Sequence, residues 1–296
     1  MQKKLTILAP AKINLFLDVL GKRENGYHDI LSVMQTIGIF DRVTITSSDA
    51  PLGERFIDVR TDGGAPEGEE NTVYRAAEQF FSSAGIDGFS VIFEIEKKIP
   101  QKAGLGGGSA DAAAAIIGLN ELFGTEMTLE QLRSVASAVG SDVPYCIKKG
   151  TCVVSGIGDV LESCTPMPEC VIVVAKTHGE GISTAEAYRL VDSVFESAPM
   201  EKLISALSEC SIEKIGKSMF NKFERVTPDS TGVFMLKEKL ASAGSPAVMM
   251  TGSGSAVFAL FENVGKAKRA AEELSDVAET FVCRPVRRDY RFIERG

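Results

Sequence analysis

Apolar residues recur along this chain with two periods, and the changes from one to the other set out its elements. Phe89, Val91, Phe93 and Ile95 fall at every second position, the spacing of a half-buried strand over about 89–98. Ala110 to Phe123 then reads as an alanine-rich helix. The same reading places strands at about 5–8, 11–20 and 32–46, with helices at about 71–84 and 128–139. Farther on, the apolar run Val171 to Ala175 predicts a buried strand, followed by helices near 184–195, 200–209 and 230–243. Strands at 247–250 and Ala256 to Phe261, a helix at about 265–275 and a strand from Thr280 to Pro285 complete the series. Strands followed by paired helices and more strands describe an α+β layer fold. Turn residues cluster at Lys148-Lys149-Gly150, Ser155 to Asp159 and Pro166-Met167-Pro168, which sets a boundary near residue 160 and two domains, 1–160 and 161–296.

Between the strand at 89–98 and the helix at 110–123 lies Pro100-Gln101-Lys102-Ala103-Gly104-Leu105-Gly106-Gly107-Gly108-Ser109-Ala110-Asp111. Glycine allows positive φ and close approach of a ligand, and a following helix aims its positive dipole end and unpaired N–H groups at the same spot. The segment therefore predicts an anion cradle, in which a side chain at Gly107 would intrude on the bound group. No Gly-Lys-Ser/Thr closes the run, so it is not a P-loop, and its spacing fits Gly-x-Gly-x-x-Gly poorly. A flexible linker, or a helix start chosen for close packing, is the alternative.

Composition narrows the partners. The 296 residues suffice for two domains, and 44% hydrophobic and 24% charged content describe an ordinary globular protein. A net charge of −8 argues against a nucleic-acid binder with a broad basic face. Lys97, Lys98 and Lys102 nevertheless crowd the glycine segment, a local excess that favours a small polyanion such as ATP; a solvated strand end explains Lys97 and Lys98 equally well. The six cysteines include no Cys-x-x-Cys and fit reduced thiols better than a disulfide scaffold. His28 and His178 are the only histidines, and neither sits in a zinc-binding pattern. The apolar run Leu5 to Ala11 is broken by Lys12 and Asn14 and is too short for a membrane span or a signal segment. A cytoplasmic protein with no membrane partner is expected.

Three further segments carry candidate chemistry. In Ala9-Pro10-Ala11-Lys12-Ile13-Asn14-Leu15-Phe16-Leu17, strand geometry puts Ile13, Leu15 and Leu17 on one face and Lys12 and Asn14 on the other. Such a cation and amide can steady an oxygen or a transferring phosphoryl group, although an exposed edge-strand lysine is the commoner fate. Thr128-Leu129-Glu130-Gln131 is a capping box, Gly140 ends its helix, and Ser141-Asp142-Val143-Pro144 begins the next element. Asp142 thus sits near a helix start, as a hydroxyl-orienting carboxylate or as a plain cap. Thr251-Gly252-Ser253-Gly254 lies between two apolar strands and also suits an ordinary hairpin turn.

Taken together, Pro10 to Leu15, Pro100 to Asp111 and Thr251 to Gly254 resemble the three motifs of the galactokinase, homoserine kinase, mevalonate kinase and phosphomevalonate kinase (GHMP) superfamily. Gly26-Tyr27-His28-Asp29, Gln35-Thr36, Gly140 to Pro144 and Asn221-Lys222-Phe223-Glu224 are similar to its 4-diphosphocytidyl-2-C-methyl-D-erythritol kinase branch, in a match running from about residue 5 to 262. The resemblance implies a two-domain small-molecule kinase with a ribosomal protein S5 domain 2-like first domain that binds ATP and a ferredoxin-like second domain that closes the substrate cleft. It further implies that ATP phosphates lie in the glycine segment, Pro100 through Ala110, with Asn71 on the adenine side and Ser109 toward phosphate or Mg²⁺. By the same likeness Lys12 and Asp142 are the catalytic pair, and Asn14, Gly252 and Ser253 face the substrate. Tyr27, His28, Thr184 and Tyr188 correspond to a cytidine pocket in which Tyr27 and Tyr188 clasp the base. The sequence departs from the family in having Tyr188 where phenylalanine is frequent and Ser255 where proline is common. It also lacks an evident glutamate to complete the Mg²⁺ site of mevalonate kinases.

Overall fold

Ala9 through Val19 are buried without a break. A strand with one wet face buries every second residue, so both faces of this one are covered. The computed structural model describes residues 2–48, 50–62, 64–179, 181–287 and 293–295 and shows what covers them. The first half supplies β1 (Lys3–Lys22), β2 (His28–Ser48), β3 (Arg55–Thr61), β4 (Phe89–Glu96), β5 (Thr151–Ser155) and β6 (Val160–Ser163). The second half supplies β7 (Val171–Thr177), the short β8 (Phe220–Asn221), β9 (Ala247–Met250), β10 (Val257–Phe261), β11 (Ala278–Cys283) and β12 (Ile293–Arg295). One sheet runs in the order β12-β1-β2-β4-β3, with β5 and β6 continuing from β2 and β8 pairing in parallel with β1; the other runs β11-β7-β10-β9 and is antiparallel throughout. The fold is α+β.

Helices α1 (Thr72–Ala84), α2 (Gly107–Phe123), α3 (Leu129–Ser137) and α4 (Val143–Lys148) pack on the first sheet or on one another. Helices α5 (Thr184–Val191), α6 (Met200–Ser208), α7 (Ile212–Ser218), α8 (Val233–Ser242) and α9 (Val264–Glu272) belong to the second half. The central element is α2, buried from Ala110 through Ile116 because alanines let it approach β1 and β2 closely. At Gly118 even a Cβ would fall 2.3 Å from Ile45 Cδ1.

Three differences from the sequence expectations bear on function. The strands expected at 5–8 and 11–20 are one strand, with its register against β2 shifted between Pro10 and Lys12 and again between Asn14 and Phe16. Such bulges re-aim side chains, and Lys12 and Asn14 lie between the two. The glycine-rich helix begins at Gly107 rather than Ala110, so Gly107 and Gly108 are its first turn. Finally, the β5–β6 hairpin stays in the first sheet through Ser163, the second sheet begins at Val171, and β12 returns to β1; residues 161–296 are therefore not one contiguous unit.

Candidate active site

A cleft of about 800 Å³ runs between the two sheets, lined by Lys12, Asn14, Asn71, the glycine segment, Asp142, Thr184, Tyr188, Gly252 and Ser253. The glycine segment presents its backbone to this space in a particular sense. The Ala103 carbonyl accepts the Ala256 N–H (3.2 Å), the Gly104 carbonyl lies 3.2 Å from the Thr251 hydroxyl, and the Leu105 carbonyl accepts the Lys12 N–H (3.0 Å). Within a peptide unit the N–H points opposite the C=O, so turning the carbonyls into the protein turns N–H groups toward the cleft. Among the described residues, nothing accepts from the N–H groups of residues 104–109. Gly104 (φ 76°) and Gly106 (φ 71°) are left-handed, the alternation that builds an anion-binding nest ahead of α2. A Cβ at Gly104 would lie 2.0 Å from the Thr251 carbonyl oxygen. Gly107 is different: its Cβ would point inward, 3.2 Å from Ile99 Cγ2, rather than into the space of a bound group, and the glycine requirement at Gly104 and Gly106 comes from the Thr251 backbone and the Lys12 stem.

Lys12 packs directly beside this nest, its stem against Gly106. Its side chain is 5% exposed, its Nζ donates to Asn14 Oδ1 (2.8 Å) and lies 3.5 Å from Asp142 Oδ2. An edge-strand lysine it is not. Asn14 Oδ1 also takes the Gly252 N–H (3.1 Å), while Nδ2 donates to Ser32 Oγ (2.9 Å), which donates in turn to the Phe16 carbonyl (2.6 Å). Asn14 therefore uses both ends of its amide within the protein, and the group it presents through this network is the Lys12 ammonium. Asp142 is the residue before α4, yet its side chain makes no capping hydrogen bond and is 29% exposed. Its carboxylate makes no cap on the helix it precedes and pairs instead with Lys12 on the cleft wall.

Asn71 does what its side chain's place at a helix start suggests: Oδ1 accepts the Val73 N–H (2.9 Å), and Nδ2 donates to the Pro66 carbonyl (2.6 Å). It shapes the cleft wall with both ends engaged. Ser109 is half-buried on the same wall.

Beneath the nest is a group that sequence reasoning misread. Lys97 is 6% exposed and its Nζ lies 2.5 Å from both Asp41 Oδ2 and Asp111 Oδ2, so it is neutralised inside the fold and offers no open cation to a ligand. Asp41 Oδ1 further takes the Lys98 N–H (2.5 Å) and the Ile99 N–H (2.8 Å), fastening the end of β4 below the loop. The three residues are far apart in sequence; a carboxylate within the apolar stretch Ile39-Phe40-Asp41-Arg42-Val43 was the available signal. Burial pushes the Asp111 carboxyl up to about 7, with Lys97 opposing the shift and Asp41 adding to it. A carboxyl raised above its unfolded value adds stability that is complete below about pH 4 and is lost as pH rises through about 7. Asp111→Asn, whose oxygen can still accept from Lys97, is expected to gain on the wild type by roughly 1–3 kcal/mol of unfolding free energy between pH 5 and pH 8. Urea unfolding curves at the two pH values check this; an unchanged difference would mean that Asp111 ionises normally.

At the far end of the cleft Tyr188 stacks on His28, with ring centroids 4.8 Å apart and planes at 28°, and meets Phe223 edge-on at 5.0 Å. His28 Nε2 is 2.7 Å from Asp192 Oδ1, which joins the start of β2 to the end of α5. The ring lying on Tyr188 is thus that of His28, whereas Tyr27 is 57% exposed at the hairpin tip. Burial, reinforced by the Asp142 charge, pushes the Tyr188 hydroxyl up to about 12, so it is a neutral phenol near neutral pH. The Thr184 and Ser253 hydroxyls are 3.1 Å apart and bridge α5 to the Gly-Ser-Gly turn.

Residues 71–150 match the family GHMP kinases N terminal domain, and residues 203–280 match GHMP kinases C terminal. The chain is 38% identical to the 4-diphosphocytidyl-2-C-methyl-D-erythritol kinase of Lachnoclostridium phytofermentans, covering 91% of this chain and 92% of that one. It is 40% identical to the enzyme of that name from Exiguobacterium sibiricum, over 90% and 92% of the two chains. A crystal structure of 4-(cytidine 5'-diphospho)-2C-methyl-D-erythritol kinase superposes with a TM-score of 0.77 at 30% identity, covering 95% of this chain and 98% of that one. Homoserine kinase from Cytophaga hutchinsonii superposes at 0.76 with 20% identity, over 99% and 98% of the two chains, a likeness of fold. With a nest of free N–H groups, a lysine–aspartate pair beside it and relatives matched along nearly their whole length, the chain belongs to the 4-diphosphocytidyl-2-C-methyl-D-erythritol kinase family of GHMP kinases.

Proposed function

We propose that this protein transfers the γ-phosphoryl group of ATP to the 2-hydroxyl of 4-diphosphocytidyl-2-C-methyl-D-erythritol, giving the 2-phosphate and ADP, a step of the non-mevalonate isoprenoid precursor pathway. The observation that carries the reading is the placement of the Lys12–Asp142 pair in one cleft beside the uncovered N–H groups of residues 104–109. Phosphoryl transfer asks the protein mainly for positioning and for charge where charge develops. The nest holds the phosphates; Asp142 orients the hydroxyl and takes its proton as the new P–O bond forms and the bond to ADP breaks; Lys12 meets the charge on the transferring group. Mg²⁺ would arrive with the nucleotide, since it is commonly held by substrate phosphates and one or two protein oxygens, and Ser109 on the cleft wall is the residue that would help to hold it. When bound it would neutralise phosphate charge.

The acceptor is a small molecule, for which Tyr188 and its neighbours at the far end supply an aromatic wall. No helix among the described residues is long and apolar enough to cross a membrane. Free thiols at all six cysteines support a cytoplasmic setting for the proposed reaction. Release of ADP, measured with the cytidylyl alcohol, mevalonate and homoserine in parallel, tests the proposal. Turnover of the first alone is expected, and equal turnover of the other two would sink it. Base-on-aromatic stacking contributes about 1–3 kcal/mol, so Tyr188→Ala should raise KM for the cytidylyl alcohol roughly five- to a hundredfold, with a smaller change in kcat. Tyr188→Phe should be nearly neutral, because the ring and not the hydroxyl is used. An unchanged KM in Tyr188→Ala would place the base elsewhere.

A further inference from the structure

We propose that Asn221 is a positioning residue for phosphoryl transfer: it holds the Thr251-Gly252 segment so that the Gly252 N–H and the Lys12 ammonium converge on one oxygen of Asn14. The proposal rests on the kinase reading of the cleft and assigns a part to a residue that does not line it.

Asn221 is only 3% exposed. Its backbone lies on β8, in parallel register with Leu17 of β1, the strand that carries Lys12 and Asn14. Its side chain reaches the other sheet's turn: Nδ2 donates to the Met250 carbonyl (2.8 Å) and to the Gly252 carbonyl (2.9 Å), while Oδ1 accepts the Phe223 N–H (3.0 Å). Two acceptors at one end and a donor at the other leave the amide a single sensible orientation. The two carbonyls flank Thr251, so the amide acts as a staple across that residue.

What is stapled bears directly on the reacting groups. Gly252 presents its N–H to Asn14 Oδ1 (3.1 Å), the same atom that receives Lys12 Nζ (2.8 Å). The Thr251 hydroxyl accepts the Asn14 N–H (3.1 Å) and lies 3.2 Å from the Gly104 carbonyl in the nest. From Asn221 to Lys12 there are thus three consecutive contacts: amide to Gly252 carbonyl, Gly252 N–H to Asn14, and Asn14 to the ammonium. Gly252 is left-handed (φ 57°), a conformation that a glycine leaves easily. Without the staple, two carbonyls would lose their donor in a buried place and the peptide carrying the Gly252 N–H could turn. Asn14 would then lose the Gly252 N–H, one of the donors that set its oxygen beside the Lys12 ammonium.

The test uses Asn221→Ala, which deletes the amide, and Asn221→Asp, which keeps its size and its acceptor for Phe223 but cannot donate. ADP release at saturating ATP and cytidylyl alcohol should fall roughly 10- to 100-fold in kcat, as small misplacements of a reacting group do. KM for ATP should stay within about threefold. Repeating Asn221→Asp in a Lys12→Met background separates positioning from general damage. There its effect should shrink to less than about threefold, because both changes act through the same ammonium. An undiminished loss in that background, or a lowered Tm with kcat intact, would overturn the proposal. Wild-type protein assayed alongside distinguishes the two readings: absence of ADP release from it overturns the kinase assignment itself.

Discussion

Asp142→Asn is expected to lower kcat by roughly 10²–10⁴ while leaving the fold and ATP affinity in place, the reach of one well-placed general base. The size and cleanness of the effect follow from what the carboxylate does not do. As the residue before α4 it could have been a cap, but its side chain makes no hydrogen bond to that helix, and asparagine caps about as well as aspartate in any case. The substitution therefore removes a charge, with its ion pair to Lys12, and a proton acceptor, but no helix cap. What remains would still face Lys12, whose Nζ lies 3.5 Å away, and could hydrogen-bond a hydroxyl without taking its proton. A loss of that size corresponds to about 2.7–5.5 kcal/mol of transition-state stabilisation, a large share of what a single side chain supplies. Steady-state kinetics with a thermal melt check it. Near-normal turnover in a folded variant would remove Asp142 from the chemistry.

The parts legible in the sequence were those in which local pattern and tertiary role agree. The strand–glycine–helix unit around residues 89–123 announces itself because alternation, glycine and an alanine run are each local signals, and the capping box Thr128–Gln131 forms with both of its reciprocal bonds. β3 was missed because Arg55, Asp58 and Arg60 disguise a strand that pairs in parallel with β4 and is only partly buried. β8 and β12 span two and three residues and exist only because β1 offers them an edge, a fact of assembly with no period to read. The candidate site divides in the same way. Lys12, the glycine segment and Asp142 stand in recognisable motifs, whereas the Asp41–Lys97–Asp111 group and the Asn221 staple depend on residues from separate elements that meet only in the folded chain. The aromatic end of the cleft was not legible as geometry, since His28 and not Tyr27 lies on Tyr188.

Lys12→Met should reduce kcat by roughly 10²–10³ with little change in KM for ATP, the usual effect of deleting one donor aimed at developing charge. Methionine keeps the stem, and the stem matters here: the space beside Gly106 is so tight that a Cβ there would come within 3.0 Å of Lys12 Cγ. A shorter replacement would open a gap against the nest and mix a packing defect into the result. Nucleotide affinity should survive because the proposed reaction has the phosphates held by backbone N–H groups, which this substitution leaves alone. The ammonium and the Asp142 carboxylate are 3.5 Å apart and serve one reacting centre in the proposed reaction, so their effects should not add. Lys12→Met/Asp142→Asn should be scarcely slower than the slower single variant, as when residues of one catalytic unit are removed together. A raised KM for ATP at unchanged kcat would instead make Lys12 a simple phosphate anchor, and fully additive losses in the double variant would show that the two residues act in separate steps.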